Sequence, residues 1–177
     1  MSVPSIIGVV WFILPAYVAN SMAINVSGIT FLKRFSTPID FGRSWGGKRL
    51  LGDGKTWRGL IGGISFAVLC ALLQSRLNPA GLYQMTPPLG FLLGFGALMG
   101  DMAESVLKRR MGFDRGAHLF LLDQLDYIFG AYILAWTVVP IASIGWEYLL
   151  LTCIITVPAH YLASFVAWKL KLKKNPW

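Results

Sequence analysis

The chain has 177 residues, 55% of them hydrophobic, a mean hydropathy of +0.60 and a net charge of +8 from sixteen Lys/Arg against eight Asp/Glu. That apolar share exceeds the roughly 45–50% of a soluble domain, which excludes an ordinary soluble fold and points to helices packed in lipid. The basic excess falls between apolar stretches, so it reads as membrane topology and not as a nucleic-acid surface.

Five apolar stretches approach the roughly 20 residues needed to cross a bilayer core. They run over Ile6–Asn25, Leu60–Leu77, Leu89–Ala103, Phe120–Ile144 and Tyr148–Trp168. The spacing predicts an all-α integral membrane protein, a bundle of five transmembrane helices forming one domain over residues 1–177. No basic segment precedes the first run and no cleavage-like site follows it, so that run reads as a span and not as a signal peptide. The third run is short, which places its end in protein or in a water-filled notch. Pro15, Pro140 and Pro158 predict kinks in the first, fourth and fifth spans. Gly59–Gly63 and Gly96–Gly100 have the G-x-x-x-G spacing that lets helices approach closely in lipid. Cys70 and Cys153 each sit alone in an apolar run and read as small packing residues.

The cations set the orientation. Lys33, Arg34, Arg43, Lys48, Arg49, Lys55 and Arg58 lie between the first two spans. Lys108, Arg109, Arg110 and Arg115 lie between the third and fourth, and Lys169, Lys171, Lys173 and Lys174 form the tail. With five spans all three groups fall on one side, so the N-terminus is expected outside and the C-terminus in the cytoplasm. The two long basic segments then become cytoplasmic loops forming a polar site.

The acids carry the chemistry. A solvated loop with mixed charges accounts for Asp40 and Asp114, but poorly for Asp101, Asp123 and Asp126, which sit at the ends of apolar runs. A carboxylate there is costly unless it is paired, hydrated or bound to a cation. At i and i+3, Asp123 and Asp126 share a helix face and repel each other. A divalent ion such as Mg²⁺ removes that repulsion, taking one or two carboxylates and completing its shell with water and phosphate. The alternative is direct neutralisation by Lys108, Arg109 or Arg110.

Two further constellations accompany that pair. In Gly100–Arg110, a helix places Asp101, Ser105 and Lys108 on one face. Glu104 and Lys108 fit an ordinary i,i+4 pair, while the three successive cations suit phosphate oxygens. In Leu51–Gly59, a glycine-rich turn holding Asp53, Lys55 and Thr56 enters the second span. Exposed helix N-terminal amides beside Lys55 and Thr56 make a site for anionic oxygens. It is not a P-loop, because Arg49 stands where the first glycine belongs and no strand precedes it.

Together these segments resemble the CDP-diacylglycerol synthase family of membrane cytidylyltransferases, and most closely its archaeal branch, CDP-archaeol synthase. Gly54-Lys55-Thr56-Trp57-x-Gly59 resembles the family's G-K-T-W-x-G. Gly100-Asp101-x-x-Glu104-Ser105-x-x-Lys108-Arg109 resembles its G-D-x-x-E-S-x-x-K-R, and Leu122-Asp123-x-x-Asp126 the end of its L-D-R-x-D signature. The His-Gly-Gly of the bacterial pattern is missing, Gln124 replaces its Arg, and His118 reads as a loop histidine. The resemblance implies condensation of CTP with an isoprenoid ether lipid phosphate, a di-geranylgeranyl glycerol phosphate, giving CDP-archaeol and pyrophosphate. It assigns Asp101, Lys108, Asp123 and Asp126 to catalysis, with Asp101, Asp123 and Asp126 holding Mg²⁺. Asp53, Lys55, Thr56, Ser105, Arg109 and Arg110 are assigned to substrate. The implied partners are CTP, the lipid phosphate and membrane lipids, without nucleic acid and with the oligomeric state open. A CDP-alcohol phosphotransferase is the nearest rival, but Asp53-Gly54-x-x-Trp57-Arg58 lacks the acids its pattern requires. A non-catalytic carrier is the second, opposed by acids clustered at one face instead of the midplane.

Overall fold

The computed structural model describes residues 5–29, 34–113 and 121–169. Within them the chain forms α1 (Ile6–Gly28), β1 (Ser44–Trp45), β2 (Lys48–Arg49), α2 (Trp57–Leu77), α3 (Pro87–Arg110), α4 (Leu122–Ala135) and α5 (Trp146–Lys169). Local chemistry explains most of the boundaries. Ser5, Thr56 and Thr86 cap α1, α2 and α3, each hydroxyl accepting from a backbone amide three residues on. Pro87 opens α3 at a position that needs no amide hydrogen. Asn78, in the left-handed region at φ 31°, ends α2. Gly46 and Gly47, both at positive φ, make the two-residue turn that pairs β1 with β2 antiparallel.

Helices α1, α2 and α3 are long and apolar enough to cross a membrane. They pack through small residues. A Cβ on Gly63 would lie 2.7 Å from the Ala19 carbonyl oxygen, so only glycine lets α2 sit this close to α1. Along the α3–α4 seam a Cβ on Gly96 would meet the Gly130 oxygen at 2.4 Å, and one on Gly100 the Asp126 oxygen at 2.2 Å. The expected close-packing roles of Gly63, Gly96 and Gly100 are therefore met. Between the helices lies a core of Phe12, Ile13, Leu93, Ile128 and Tyr132. Its buried hydroxyls are satisfied: Tyr132 meets Thr152 at 2.7 Å and Tyr17 meets Thr156 at 2.6 Å. Cys70 and Cys153 are free, half-buried thiols, as expected of packing residues.

Two spans differ from their sequence reading. The third is not short: α3 runs 24 residues to Arg110. Its charged last turns stay helical because Glu104 and Lys108 are buried against protein. The fourth is shorter than Phe120–Ile144: α4 has 14 residues, roughly 21 Å at the standard helical rise. Residues 136–145 form turns around Pro140, which lies beyond the helix instead of kinking it and cannot supply the next amide donor. Pro15 and Pro158 do lie inside α1 and α5.

The connections separate to the two ends of the bundle. At one end Trp11 Nε1 donates to the Tyr83 carbonyl at 3.1 Å, joining α1 to the α2–α3 turn. At the other, Lys48 Nζ donates to the Gly112 carbonyl at 2.8 Å, and Arg110 Nη1 donates to that of Trp45 at 2.5 Å. The hairpin thus docks on the C-terminal end of α3, bringing two of the basic segments together.

Candidate active site

The loop before α2 is built on a carboxylate. Asp40 is buried and accepts five hydrogen bonds: from the amides of Gly42, Leu51 and Gly52, and from Arg49 Nε and Nη2. The Arg49 guanidinium holds its carboxyl well below the usual carboxylate range, and the three amides add to that effect. Asp40 is covered by its own loop instead of by the helical core. It is therefore a structural staple and not the solvated loop acid expected from the sequence. Arg49 also reaches the exposed Asp53 at 2.9 Å, so Asp53, expected on substrate, braces the same loop.

The staple fixes residues 51–56 beside α3. Lys55 Nζ forms an ion pair with Asp101 Oδ2, a contact between residues 46 apart in sequence. Both side chains remain about one quarter exposed. They sit at the wall of a cavity between α1, α2 and α3 that also touches Asn20, Ile39, Thr56 and Leu98. Its volume is about 70 Å³, far below the roughly 300 Å³ of a small-molecule pocket.

The helix end beside it is less open than the sequence suggests. Trp57 N donates to the Thr37 carbonyl at 3.1 Å, Gly59 N to Thr56 Oγ1 at 3.3 Å, and Leu60 N to the Thr56 carbonyl at 3.0 Å. Most of the amides expected to bind anionic oxygens therefore have internal acceptors, and buried Thr56 acts as a cap.

On α3 the charged face meets α4. Lys108 Nζ lies 2.5 Å from Glu104 Oε1 and 2.7 Å from Asp123 Oδ1. Glu104 Oε1 is in ion-pair range but outside hydrogen-bond geometry. For Asp123 the structure thus realises direct neutralisation by Lys108. Asp126 lies one turn on, where its carbonyl packs against Gly100. Its carboxylate accepts from Tyr127 N at 2.6 Å and is within electrostatic reach of Asp101, Glu104 and Lys55. Ser105 Oγ donates back to the Asp101 carbonyl at 3.0 Å. Arg109 Nη1 closes the turn after α3 by donating to the Phe113 carbonyl at 2.9 Å, while Arg110 stacks over Trp45 and holds the hairpin.

The expected residues therefore gather at one end of the bundle without forming the expected metal set. Among the described residues no three His, Cys, Asp or Glu side chains come together as a metal-holding group. The reason is local: Lys55 draws Asp101 to one side and Lys108 draws Asp123 to the other. Asp126, within electrostatic reach of Asp101 and Lys55, still offers hard oxygen donors. Two carboxylates plus phosphate oxygens suffice for Mg²⁺, so the donor chemistry fits a cation that arrives with a polyphosphate. Asp114, Arg115 and His118, with Lys33, Lys171, Lys173 and Lys174, lie outside the described residues. Sequence reasoning gave no site role to Asn20, or to Gln124, whose buried Oε1 has no hydrogen-bond partner among the described residues. The one available signal was Gln124's place between Asp123 and Asp126.

Known proteins fit this arrangement. The CarS-like family model, described as CDP-archaeol synthase, matches residues 3–177. The chain is 39% identical over 182 residues to the CDP-archaeol synthase of Archaeoglobus fulgidus, covering 97% of this chain and 98% of that protein. It is 42% identical to the one from Thermococcus gammatolerans, covering 94% of each. A solved structure described as an intramembrane enzyme for archaeal membrane lipids biosynthesis aligns with a TM-score of 0.74 at 30% identity, covering 90% of this chain and 94% of that one. Helical apart from one short hairpin among the described residues, matched along nearly its whole length and carrying its three motifs at one end of the bundle, the chain belongs to the CDP-archaeol synthase family.

Proposed function

We propose that this chain transfers the cytidylyl group of CTP to a di-geranylgeranyl glycerol phosphate, releasing pyrophosphate and forming CDP-archaeol. The observation that carries this reading is the Lys55–Asp101 pair, which joins the G-K-T turn to the G-D-x-x-E-S helix beside Asp126. An oxygen of the lipid phosphate attacks the α-phosphorus of CTP, and the bond to the β-phosphate oxygen breaks. The nucleophile is already anionic, so no strong general base is required. Positioning and charge stabilisation dominate such a transfer.

Lys55, released from Asp101, would hold triphosphate oxygens, with Lys108, Arg109 and Arg110 supplying positive charge at the same end. Asp101 and Asp126, joined by Asp123, would hold Mg²⁺. When bound, that ion neutralises phosphate charge and polarises the reacting phosphoryl group. The contacts of the 34–56 loop with the end of α3 support a site on one membrane face, and the one-sided basic residues favour the cytoplasmic face for it. Five crossings, with the N-terminus outside, follow from the same alternation.

The test is CTP-dependent pyrophosphate release by purified protein in lipid, with Mg²⁺ and a defined lipid phosphate. Turnover is expected with the geranylgeranyl ether phosphate. Its advantage over a straight-chain diacyl phosphate is expected to be about 1–3 kcal/mol, the discrimination typical of apolar grooves. Absence of CTP-dependent pyrophosphate release would reject the reading.

A further inference from the structure

Helix α2 presents two opposite faces in its first turns. Thr56, Gly59 and Leu60 line the small cavity that also holds Lys55 and Asp101. At about 100° per residue, Trp57, Arg58 and Gly62 fall on the other side of the helix. There they line a second, wider groove, closed by Val26 of α1 and by Arg34, Phe35 and Phe41 of the loop. Its volume is about 540 Å³, inside the roughly 300–1,000 Å³ range of ligand pockets. A Cβ on Gly62 would lie 2.9 Å from Val26 Cγ1, so glycine here brings α1 and α2 together as the groove floor.

The lining is cationic at the rim and apolar beneath. Two arginines and no acid contribute to it among the described residues. Arg34 is exposed and lies over the Phe35 ring, its guanidinium carbon 4.7 Å from the centroid. Arg58 Nη1 donates to the Ile29 carbonyl at 3.2 Å, which holds that side chain at the groove wall. Phe41 and Trp57 are both exposed and pair with their rings 6.1 Å apart. The depth is equally specific. The membrane-length apolar segments run over Ile6–Val26 and Trp57–Leu77, so the groove lies where one ends and the other begins. That is the level of lipid headgroups, where aromatic rings and arginines meet phosphate. Any lipid chain covers an apolar face, but two arginines without an acid select an anionic headgroup.

We propose that this groove binds one anionic phospholipid of the surrounding membrane. Its phosphate lies against Arg34 and Arg58, and its chains run past Ile61 and Gly62 along α2. The site is separate from the proposed reaction centre, which occupies the opposite face of the helix.

Native mass spectrometry of the detergent-purified protein, titrated with phosphatidylglycerol or phosphatidylcholine, reads this binding without turnover. Each arginine near a membrane surface is expected to add about fivefold to affinity for an anionic lipid, so phosphatidylglycerol should bind about 25-fold more tightly than phosphatidylcholine. Arg34→Gln should weaken phosphatidylglycerol binding about fivefold and leave phosphatidylcholine binding unchanged. Arg34→Lys, which keeps the charge, should stay within about twofold, as should Arg43→Gln, which removes the same charge from the same loop outside the groove. Equal binding of the two lipids by the unmodified protein would overturn the proposal. So would equal losses from Arg43→Gln and Arg34→Gln, which would reduce the effect to diffuse surface attraction. A raised KM for the lipid phosphate in Arg34→Gln, with phosphatidylglycerol binding unchanged, would assign the groove to substrate and overturn it too. Failure of CTP-dependent turnover in the unmodified protein would defeat the cytidylyl-transfer reading alone and leave the lipid-binding result standing.

Discussion

Asp40 and Asp101 are both aspartates beside a cation at the same end of the bundle, yet their surroundings differ in kind. Asp40 accepts from three amides and from Nε and Nη2 along one edge of the Arg49 guanidinium, so both of its oxygens are engaged. Among the described residues Asp101 has a single ion pair, to a lysine on a different element, at the wall of a cavity. Asp126 resembles Asp101: few partners among the described residues, partial exposure, and a neighbouring helix that the chain must bring to it. A fully satisfied carboxylate fixes a loop, whereas a sparsely satisfied one can exchange its partner for substrate or metal.

The largest test of that contrast is charge removal on the exchangeable side. Asp101→Asn and Asp126→Asn should each lower CTP-dependent turnover about 10²-fold or more, because several kcal/mol of transition-state stabilisation would be lost. Their Tm values should stay near that of the unmodified protein. A Tm fall that accounted for the lost activity would place these residues with Asp40.

Asp40→Asn should do the reverse. It leaves Arg49 with only its exposed pair to Asp53 and weakens three amide contacts, costing about 2–3 kcal/mol of stability, with activity falling only in step. The native carboxyl titrates below the roughly 3.9 of a free aspartate, so its contribution is complete above that value. It disappears as pH falls from there through the depressed native value. The Tm gap between the unmodified protein and Asp40→Asn is therefore expected to be flat from about pH 8 to pH 5 and to close only below about pH 4. Closure near neutrality would mean that Asp40 is not the staple.

A glycine pair refines the comparison. Gly96→Ala and Gly100→Ala should each destabilise by about 1–3 kcal/mol, since both would drive a methyl into the α4 backbone. Only Gly100→Ala presses on Asp126, so it alone should raise KM for CTP. Equal kinetic effects would show that the seam acts on the site as a whole. The smallest effect belongs to Asp53→Asn: its exposed pair with Arg49 is worth about 0.2–1 kcal/mol, and raising the salt concentration should erase the difference in Tm.

The sequence by itself determined the helical runs, their order, and the end of the bundle at which the charged motifs gather. Apolar length, capping hydroxyls and the one-sided cations are local properties, and helix formation in lipid is a local decision because each backbone amide must find its acceptor within the segment. The small-residue seams were legible for the same reason, since i,i+4 spacing states which residues share a face. Only the tertiary structure decided which charge meets which. The pairing of Lys55 with Asp101, the sharing of Lys108 between Glu104 and Asp123, and the enclosure of Asp40 by its own loop depend on where separate elements come to rest. Spacing along the chain names candidates for an ion pair, but a contact of a few ångströms is set by the packing of other helices. The early end of α4 at Ala135 belongs with these, because an apolar run continues to Ile144 while the backbone turns around Pro140 and Trp136 Nε1 donates to the Ile144 carbonyl at 2.7 Å.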